Sequence, residues 1–345
     1  MSIGNTVPYQ GYEAILGFAK ETTFGTFVTS TMWLEFNSES LKYTLEEIKV
    51  EAINTYRDYT RRLRGNTTVD GGIESNWNLA ADACQYMIKS ALGGTVSSVI
   101  GSGSSYTHTF RPGDLENNKS SAGASDIKSL SIAVRPGASG AQTLNFFGLR
   151  ANQLSLKSEP GGPIVMSTEF IGKGCSLSST MPTAVLTTVN PLMFNNAKIW
   201  IGTTIGACTS TTEEFFKSFE LTINNNLLTD HRVLGNTEIV GLPAGKRDIV
   251  LKLSQVFDTF TSYSRYLENT ATAFLIYIDS SIAYGASVGT YKAQIKLPKC
   301  YLNPFTPAVG GNEALNQELE FRCMYASEQA YSAQIEITNL TANYD

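Results

Sequence analysis

Residues 231–257 read HRVLGNTEIVGLPAGKRDIVLKLSQVF, and residues 248–253 within them carry a large apolar side chain at every second position. Ile249, Leu251 and Leu253 lie two residues apart, which is the period of a strand that buries one face. The same alternation recurs in residues 318–325. Strand patterns of this kind outnumber helical ones along the chain, so the sequence predicts a mainly β protein built from antiparallel sheets.

The motif R-x-x-G-N-T occurs twice, at Arg62–Thr67 and Arg232–Thr237, about half the chain apart. Each copy follows a strand pattern and precedes a glycine-containing turn, another strand pattern and one short helix. Asp82 and Asp258 are placed to begin these helices, and Gly93 to end the first. The apolar face of the first helix would consist of Cys84, Met87, Ile88 and Leu92. The repeated order predicts an internal duplication.

We therefore expect two tandem antiparallel β-sandwich or half-barrel domains, each flanked by one short α-helix. The first domain would comprise residues 1–175 and the second residues 192–345, since 345 residues suffice for two cores. Residues 176–191 carry no charge and contain two prolines, so we interpret them as a linker. The polar stretch 113–126 is expected to be an exposed loop of the first domain.

The composition indicates a cytoplasmic folding environment. The start of the sequence lacks a signal peptide pattern, and the longest apolar run, residues 273–278, is too short to span a bilayer. The five cysteines are far apart and form no C-x-x-C pair, which is typical of reduced, buried thiols. They are Cys84, Cys175, Cys208, Cys300 and Cys323.

A net charge of −5 also makes nucleic-acid binding a poor first hypothesis.

A search for catalytic and metal-binding patterns yields no candidate. Neither His108 nor His231 has a cysteine or histidine at metal-ligand spacing, so each is expected to be a packed or surface residue. The G-x-S-x-G match at 285–289 precedes a strand pattern and has no histidine after it, which excludes a nucleophile elbow. We expect no catalytic residue, cofactor or metal, and hence a protein that is not an enzyme.

Residues 56–65, YRDYTRRLRG, combine arginines with tyrosines, a pattern also typical of single-stranded nucleic-acid binding. An acidic segment precedes them, and the second motif copy keeps only Arg232. This loss favours contact with a neighbouring subunit, while a solvated loop and a nucleic-acid arm remain alternatives. The candidate contact residues are Glu46, Glu47, Glu51, Tyr56, Arg57, Arg61, Arg62 and Arg64.

Several weak signals occur together in one order. They are EAILGFAKETTFGT at 13–26, the two R-x-x-G-N-T units with their single helices, and Gly310-Gly311 followed by Glu320-Phe321. In this order they resemble the tail tube (major tail) proteins of long-tailed bacteriophages, of the type with two tube domains fused in one chain. The resemblance covers nearly the whole chain and depends on no single specific motif.

The resemblance implies a structural virion protein that assembles into stacked rings and forms the channel for DNA ejection. A duplicated chain would make a pseudo-sixfold ring from three copies. Its partners would be itself, tail tip or baseplate and tail terminator proteins, the tape measure protein in the lumen, and genomic DNA that passes without specific binding. It would be assembled in the host cytoplasm and reside in the virion tail, without a membrane. The segment at about 43–65 would reach the next ring.

The alternative is a β-sandwich adhesin that binds carbohydrate, or another virion surface module. A low charge and sixteen tyrosines are compatible with it, because aromatic faces stack on sugars. Many aromatic residues, however, including Phe274 and Phe321, lie within strand patterns and are expected in the core.

Overall fold

The computed structural model describes residues 10–344, except 52, 54, 95, 102–104, 113–127, 138–141, 258, 285–288 and 305–314. The predicted loop at 113–126 and most of 285–289 lie outside the described residues. The described chain is mainly antiparallel β with two short α-helices, which confirms the predicted class. Its first elements are β1 (Ile15–Lys20), β2 (Met32–Leu34), β3 (Ser38–Glu39), β4 (Lys42–Lys49), β5 (Arg62–Asn76), α1 (Asp82–Leu92), β6 (Ser97–Ile100), β7 (Tyr106–Phe110), β8 (Leu130–Arg135), β9 (Thr143–Ser158), β10 (Ile164–Gly172) and β11 (Gly174–Ser178). The later elements are β12 (Ala197–Gly202), β13 (Glu213–Glu214), β14 (Ser218–Asn224), β15 (Asp248–Val256), α2 (Thr261–Leu267), β16 (Thr272–Ala283), β17 (Thr290–Leu302), β18 (Asn316–Cys323) and β19 (Gln334–Asn339).

The strands before residue 179 form a first set of pairings. β1 pairs with β2 and β8, and the long strand β9 pairs with β8, β10 and β11. β5 pairs with β10 on one edge and with β3 and β4 on the other. All of these pairings are antiparallel. Strand β9 belongs to two sheet regions, one with β8 and β11 and one with β10, and connects them.

The strands after residue 196 form a second set with the same connections. β12 pairs with β13 and β16, and the long strand β17 pairs with β16, β18 and β19. β15 pairs with β18 on one edge and with β14 on the other. In chain order the second set follows the first, with β14 in the place of β3 and β4, except that β6 and β7 have no counterpart between α2 and β16.

Two pairings join the sets across the middle of the chain. β14 pairs with the carboxyl-terminal half of β9, and β19 pairs with β7. The β9–β14 pairing extends one sheet without a break in the order β5, β10, β9, β14, β15, β18. The division into two domains stays a prediction, and these hydrogen-bonded ladders connect the parts that it separates.

The core follows the same arrangement, because buried apolar side chains from both sets belong to one cluster. Trp77 and Phe146 of the first set and Leu221 and Phe274 of the second are almost inaccessible to solvent. On β14, β15 and β18 of the shared sheet, buried positions alternate with more exposed ones, so one face of that sheet is apolar and points inward. This burial agrees with the prediction that Phe274 and Phe321 are core residues.

Helix α1 lies where its sequence predicts it. Its expected apolar face, Cys84, Met87, Ile88 and Leu92, is fully buried, and α1 contacts β9. Gly93 ends the helix with a φ of 70°, and its N–H bonds to the carbonyl oxygen of Lys89. Asp82 is the first residue of the helix, as predicted, and the N-cap position before it is occupied by Ala81, which makes no side-chain cap. Asp82 accepts hydrogen bonds from Thr341 and Tyr344.

Helix α2 begins at Thr261, and Phe260 takes the N-cap position. Asp258, the predicted start, lies outside the described residues. The predicted glycine turn after the first motif copy was also wrong, since Asp70–Gly72 continue strand β5. Gly71 has a φ of 137°, and a Cβ there would lie 2.3 Å from the carbonyl oxygen of Ser40. Glycine is needed there for a close backbone approach, not for a turn.

Residues 176–191, interpreted as a linker, contain the last residues of β11 and are otherwise without helix or strand. They are held to the first set: the Asn78 side chain donates to the carbonyl oxygen of Val189 over 2.6 Å. Leu192 follows them and is buried. Its N–H donates to the carbonyl oxygen of Trp77, and its carbonyl oxygen accepts the N–H of Ile164.

Candidate interaction surface

All eight predicted contact residues lie in one β-hairpin, formed by β4, residues 50–61 and the start of β5. We call this segment, residues 42–67, the β4–β5 hairpin. The structure brings the eight residues together on this one element and leaves every one of them exposed. They are Glu46, Glu47, Glu51, Tyr56, Arg57, Arg61, Arg62 and Arg64.

Acidic and basic side chains face each other across this hairpin. Arg62 Nη2 lies 3.3 Å from Glu47 Oε2, and Glu46 Oε2 accepts the backbone N–H of Asn66 over 3.0 Å. An exposed ion pair contributes little to stability, but it offsets the charge of the arginine involved. The hairpin is therefore a mixed-charge surface, which suits contact with a protein better than a continuous basic track for phosphates.

The hairpin also carries apolar side chains that no core covers. Every residue of β4 is exposed, and the isoleucine at position 53 is fully accessible. A two-stranded ribbon with exposed apolar residues on it is only marginally stable in water by itself. Contiguous exposed apolar surface marks an interaction site. The other exposed apolar residues are Tyr43, Leu45, Ile48, Tyr56, Tyr59 and Leu63.

The outer edge of β3 and β4 has backbone groups that point away from β5, the strand with which both pair. Ser40 donates its N–H to the carbonyl oxygen of Gly72, and Lys42 stands opposite Asp70 in the same ladder. Because N–H groups alternate between the edges of a strand, the N–H of Tyr43 points to the open side. Within the described residues, β3 and β4 pair with no strand on that side.

The two R-x-x-G-N-T copies lie against each other. The N–H of Thr67 donates to the carbonyl oxygen of Thr237 over 3.0 Å, and Arg232 Nη2 donates to the carbonyl oxygen of Thr67 over 2.8 Å. The first copy belongs to strand β5, whereas the second lies in a loop without regular structure. The copies thus have different conformations, and their contact holds residues 225–247 on the first set of strands.

The solvent-facing side of the shared sheet is polar and rich in charge. Lys157, Glu220, Lys252 and Glu320 stand directly opposite one another on β9, β14, β15 and β18, so their signs alternate across four strands. Opposite charges in adjacent cross-strand positions stabilise a sheet. Acidic residues nevertheless outnumber basic ones on this face. Outside the β4–β5 hairpin, the acidic ones are Asp70, Glu74, Glu169, Glu220, Asp248, Glu318 and Glu320, and the basic ones are Lys157, Lys252 and Arg322.

His108 is buried on β7, close to the end of the chain. Its Nε2 lies 2.8 Å from the carbonyl oxygen of Thr341, and its Nδ1 lies 2.8 Å from the Ser98 hydroxyl. Burial lowers the pKa of the His108 imidazole, against the opposing effect of its hydrogen bonds to Asn339 and Thr341. Since Nε2 faces oxygen acceptors, it carries the proton of the neutral ring. The ring thus has a packing role, one of the two positions, packed or surface, that were predicted for both histidines.

His231 lies exposed in the loop of the second motif copy. Among the residues that the structure describes, no group of three His, Cys, Asp or Glu side chains is arranged to hold a metal ion.

The five cysteines are unpaired thiols, and four of them are buried. The Sγ atoms of Cys300 and Cys323 lie 3.2 Å apart between β17 and β18. Burial raises the pKa of the Cys84 thiol to about 12 and those of Cys175 and Cys208 to about 11. Thiols with a raised pKa are poor nucleophiles, so these side chains serve packing.

Comparison with known proteins gives a family. A family model described as phage tail tube protein matches residues 11–323, which is most of the chain. No curated protein matches the sequence of this chain. In the described part of the chain, no helix is long and apolar enough to cross a membrane.

Proposed function

Because this chain belongs to the phage tail tube protein family, we propose that it assembles into rings which stack into the tail tube of a long-tailed phage. The tube is the channel for DNA ejection. One observation carries the ring: a single sheet crosses from the first set of strands to the second and stops at the open edge of β3 and β4. A neighbouring copy that adds to this edge would continue the sheet.

We interpret the two sets of pairings as products of an internal duplication. Their matching order supports this, as does the equal place of β14 beside β15 and of β3–β4 beside β5. Each set would then be one tube module, an antiparallel β-sandwich or half-barrel with one helix. Three copies would supply six modules, and the ring would be pseudo-sixfold. A head-to-tail contact that closes also covers every sheet edge.

The β9–β14 pairing is the template for ring closure. The outer edge of β14 pairs with β9, whereas the corresponding edge of β3–β4 is open. In a ring, this open edge would pair with the second set of strands in the next copy. Backbone hydrogen bonds along the edge would supply the affinity, as in other cases of strand addition.

The polar side of the shared sheet would line the lumen. Its surplus of carboxylates repels phosphates at short range, so DNA can pass without being held. Its apolar side is already occupied by the core and helix α1, which leaves only the polar side for a water-filled channel. Tail tip or baseplate proteins, a tail terminator and a tape measure protein would complete the assembly in the host cytoplasm before the tail enters the virion.

Ring closure is tested by one backbone donor. Tyr43→Pro removes the N–H that points to the open edge and leaves the ladder between β4 and β5 intact. We expect this variant to fold, with an unchanged circular dichroism spectrum, and to form no rings or tubes by negative-stain electron microscopy. Tyr43→Ala keeps the N–H and should retain assembly. Normal tubes from the proline variant would exclude this edge as the junction.

A further inference from the structure

Two connections of equal length occupy corresponding places in the two sets. Residues 225–247 connect β14 to β15. The corresponding stretch of the first set, residues 45–67, consists of the end of β4, residues 50–61 and the start of β5. The first connection is folded onto the opposite set of strands, and the second projects as the β4–β5 hairpin. The connection in the second set is therefore packed against the first set of strands, whereas the corresponding connection in the first set is exposed to solvent.

The docked connection shows where such an element binds. Arg150 Nη1 donates to the carbonyl oxygen of Leu242 over 2.7 Å, and Lys173 Nζ lies 3.9 Å from Glu238 Oε2. Ile239 and Leu242 are each 1% exposed as a result. Lys173 is the residue between β10 and β11, so the connection sits against the corner after β10.

The corresponding corner in the second set follows β18, because β18 pairs with β15 and β17 as β10 pairs with β5 and β9. Met324 and Tyr325 form this corner. They are 42% and 56% exposed. No residue of the described chain covers this corner in the way that residues 225–247 cover the first one.

We infer that the base of the β4–β5 hairpin, with Leu45 and Leu63, docks on Met324 and Tyr325 of a second copy of this chain. Leu45 is 44% and Leu63 is 54% exposed, so both surfaces are apolar and uncovered in a single chain. The internal interface supplies the geometry: a connection reaches from one set of strands to the corner of the set beside it. The contact lies within a ring, between side-by-side copies. It rests on the proposed ring assembly.

The location within a ring has a measurable consequence. A contact between neighbours in one ring can link only as many chains as the ring contains, here three. A contact between stacked rings would link chains along the whole tube. Covalent capture of the hairpin base therefore distinguishes the two by the length of the product ladder.

We would place the photo-cross-linking residue p-benzoylphenylalanine at position 63 of the full chain, irradiate assembled tubes, and separate the products under denaturing conditions. The expected ladder ends at the trimer, and mass spectrometry of the digest should map the cross-link to the peptide with Met324 and Tyr325 of another copy. Cross-links to other peptides, or a ladder that continues beyond the trimer, would overturn the inference and leave the tube function standing. Absence of rings and tubes from the unmodified protein under every condition would remove the proposed function and this inference with it.

A second set of variants tests the corner from the other side. Met324→Glu with Tyr325→Glu introduces two carboxylates into the inferred contact. We expect folded chains with an unchanged unfolding temperature and at least a tenfold loss of assembled material in sedimentation. Leu267→Glu, at a site on α2 that is 65% exposed, is the matched control and should assemble normally. Equal assembly of the corner variant and the control would contradict the inference.

Discussion

At the scale of single residues, His108 joins parts of the chain that are far apart in sequence. Its ring contacts Ser98, Asn339 and Thr341, and it lies edge-on to the ring of Tyr344 at 4.6 Å between centroids. The sequence predicted a packed or surface histidine from the absence of ligand spacing. It could not identify Asn339, Thr341 and Tyr344 as partners, because they reach the ring only when β7 pairs with β19.

The buried His108 predicts a loss of stability on mild acidification. Its pKa is lowered in the folded protein, so the unfolded chain takes up the proton first as pH falls below about 6.5. The contribution of the neutral ring is thus complete above that pH and is lost as pH falls through the lower folded-state pKa. We expect the unfolding temperature to decrease between pH 7.5 and 5.5 by differential scanning calorimetry.

His108→Gln is the matched variant for this test. It cannot titrate, so its unfolding temperature should change less between these pH values, although the lost hydrogen bonds should cost about 1–3 kcal/mol at pH 7.5. An equal pH dependence in both proteins would show that another group is responsible.

At the scale of elements, the β4–β5 hairpin has apolar strand residues that could pack in a core, but in a single chain they are exposed to solvent. The residues of β4 include Tyr43, Leu45 and Ile48, apolar enough to pack, yet the whole strand is exposed. By contrast, β15 has the same kind of pattern and buries Ile249, Leu251 and Leu253. Strand propensity predicted both strands, but only the shared sheet determined which of them has a core behind it.

The resemblance to tail tube proteins implies that this segment reaches the next ring, and the hairpin tip, residues 48–62, tests that expectation. Deleting residues 48–62 removes most of the predicted charged contact residues but leaves Leu45, Leu63 and the sheet. Because the removed side chains do not belong to the core, the unfolding temperature should be unchanged, and rings should form that stack poorly in electron micrographs. Normal tubes from the deletion would contradict a stacking role. Arg57→Ser with Arg61→Ser keeps the hairpin length and separates the effect of charge.

At the scale of the whole molecule, the polar face of the shared sheet governs the passage of DNA in our proposal. The face spans both sets of strands, and its charges come from strands that are far apart in sequence, from Glu74 on β5 to Glu320 on β18. Net composition indicated an acidic protein. The concentration of carboxylates on one side follows from the strand registers.

Charge reversal on this face should convert a repelling channel into a retaining one. Glu169 and Glu318 are exposed on β10 and β18, so Glu169→Lys with Glu318→Lys should leave the fold and the tubes intact. We expect assembled tubes of this variant to retain duplex DNA at low salt and to release it as salt is raised, measured by co-sedimentation. The Gln variants at the same positions should bind far less. Equal retention by the unmodified protein would place the lumen elsewhere.

The sequence by itself determined the antiparallel β class, helix α1 with its stop at Gly93, and the buried strands β15, β18 and β19. These features follow from local periodicity and from residues with special backbone preferences, which a short window contains. Tertiary structure alone decided that Asp70–Gly72 continue a strand, that the two motif copies touch, and that one sheet spans the chain. Those outcomes depend on which strand edges meet, and pairing between distant strands is set by the packing of the whole core rather than by any short window.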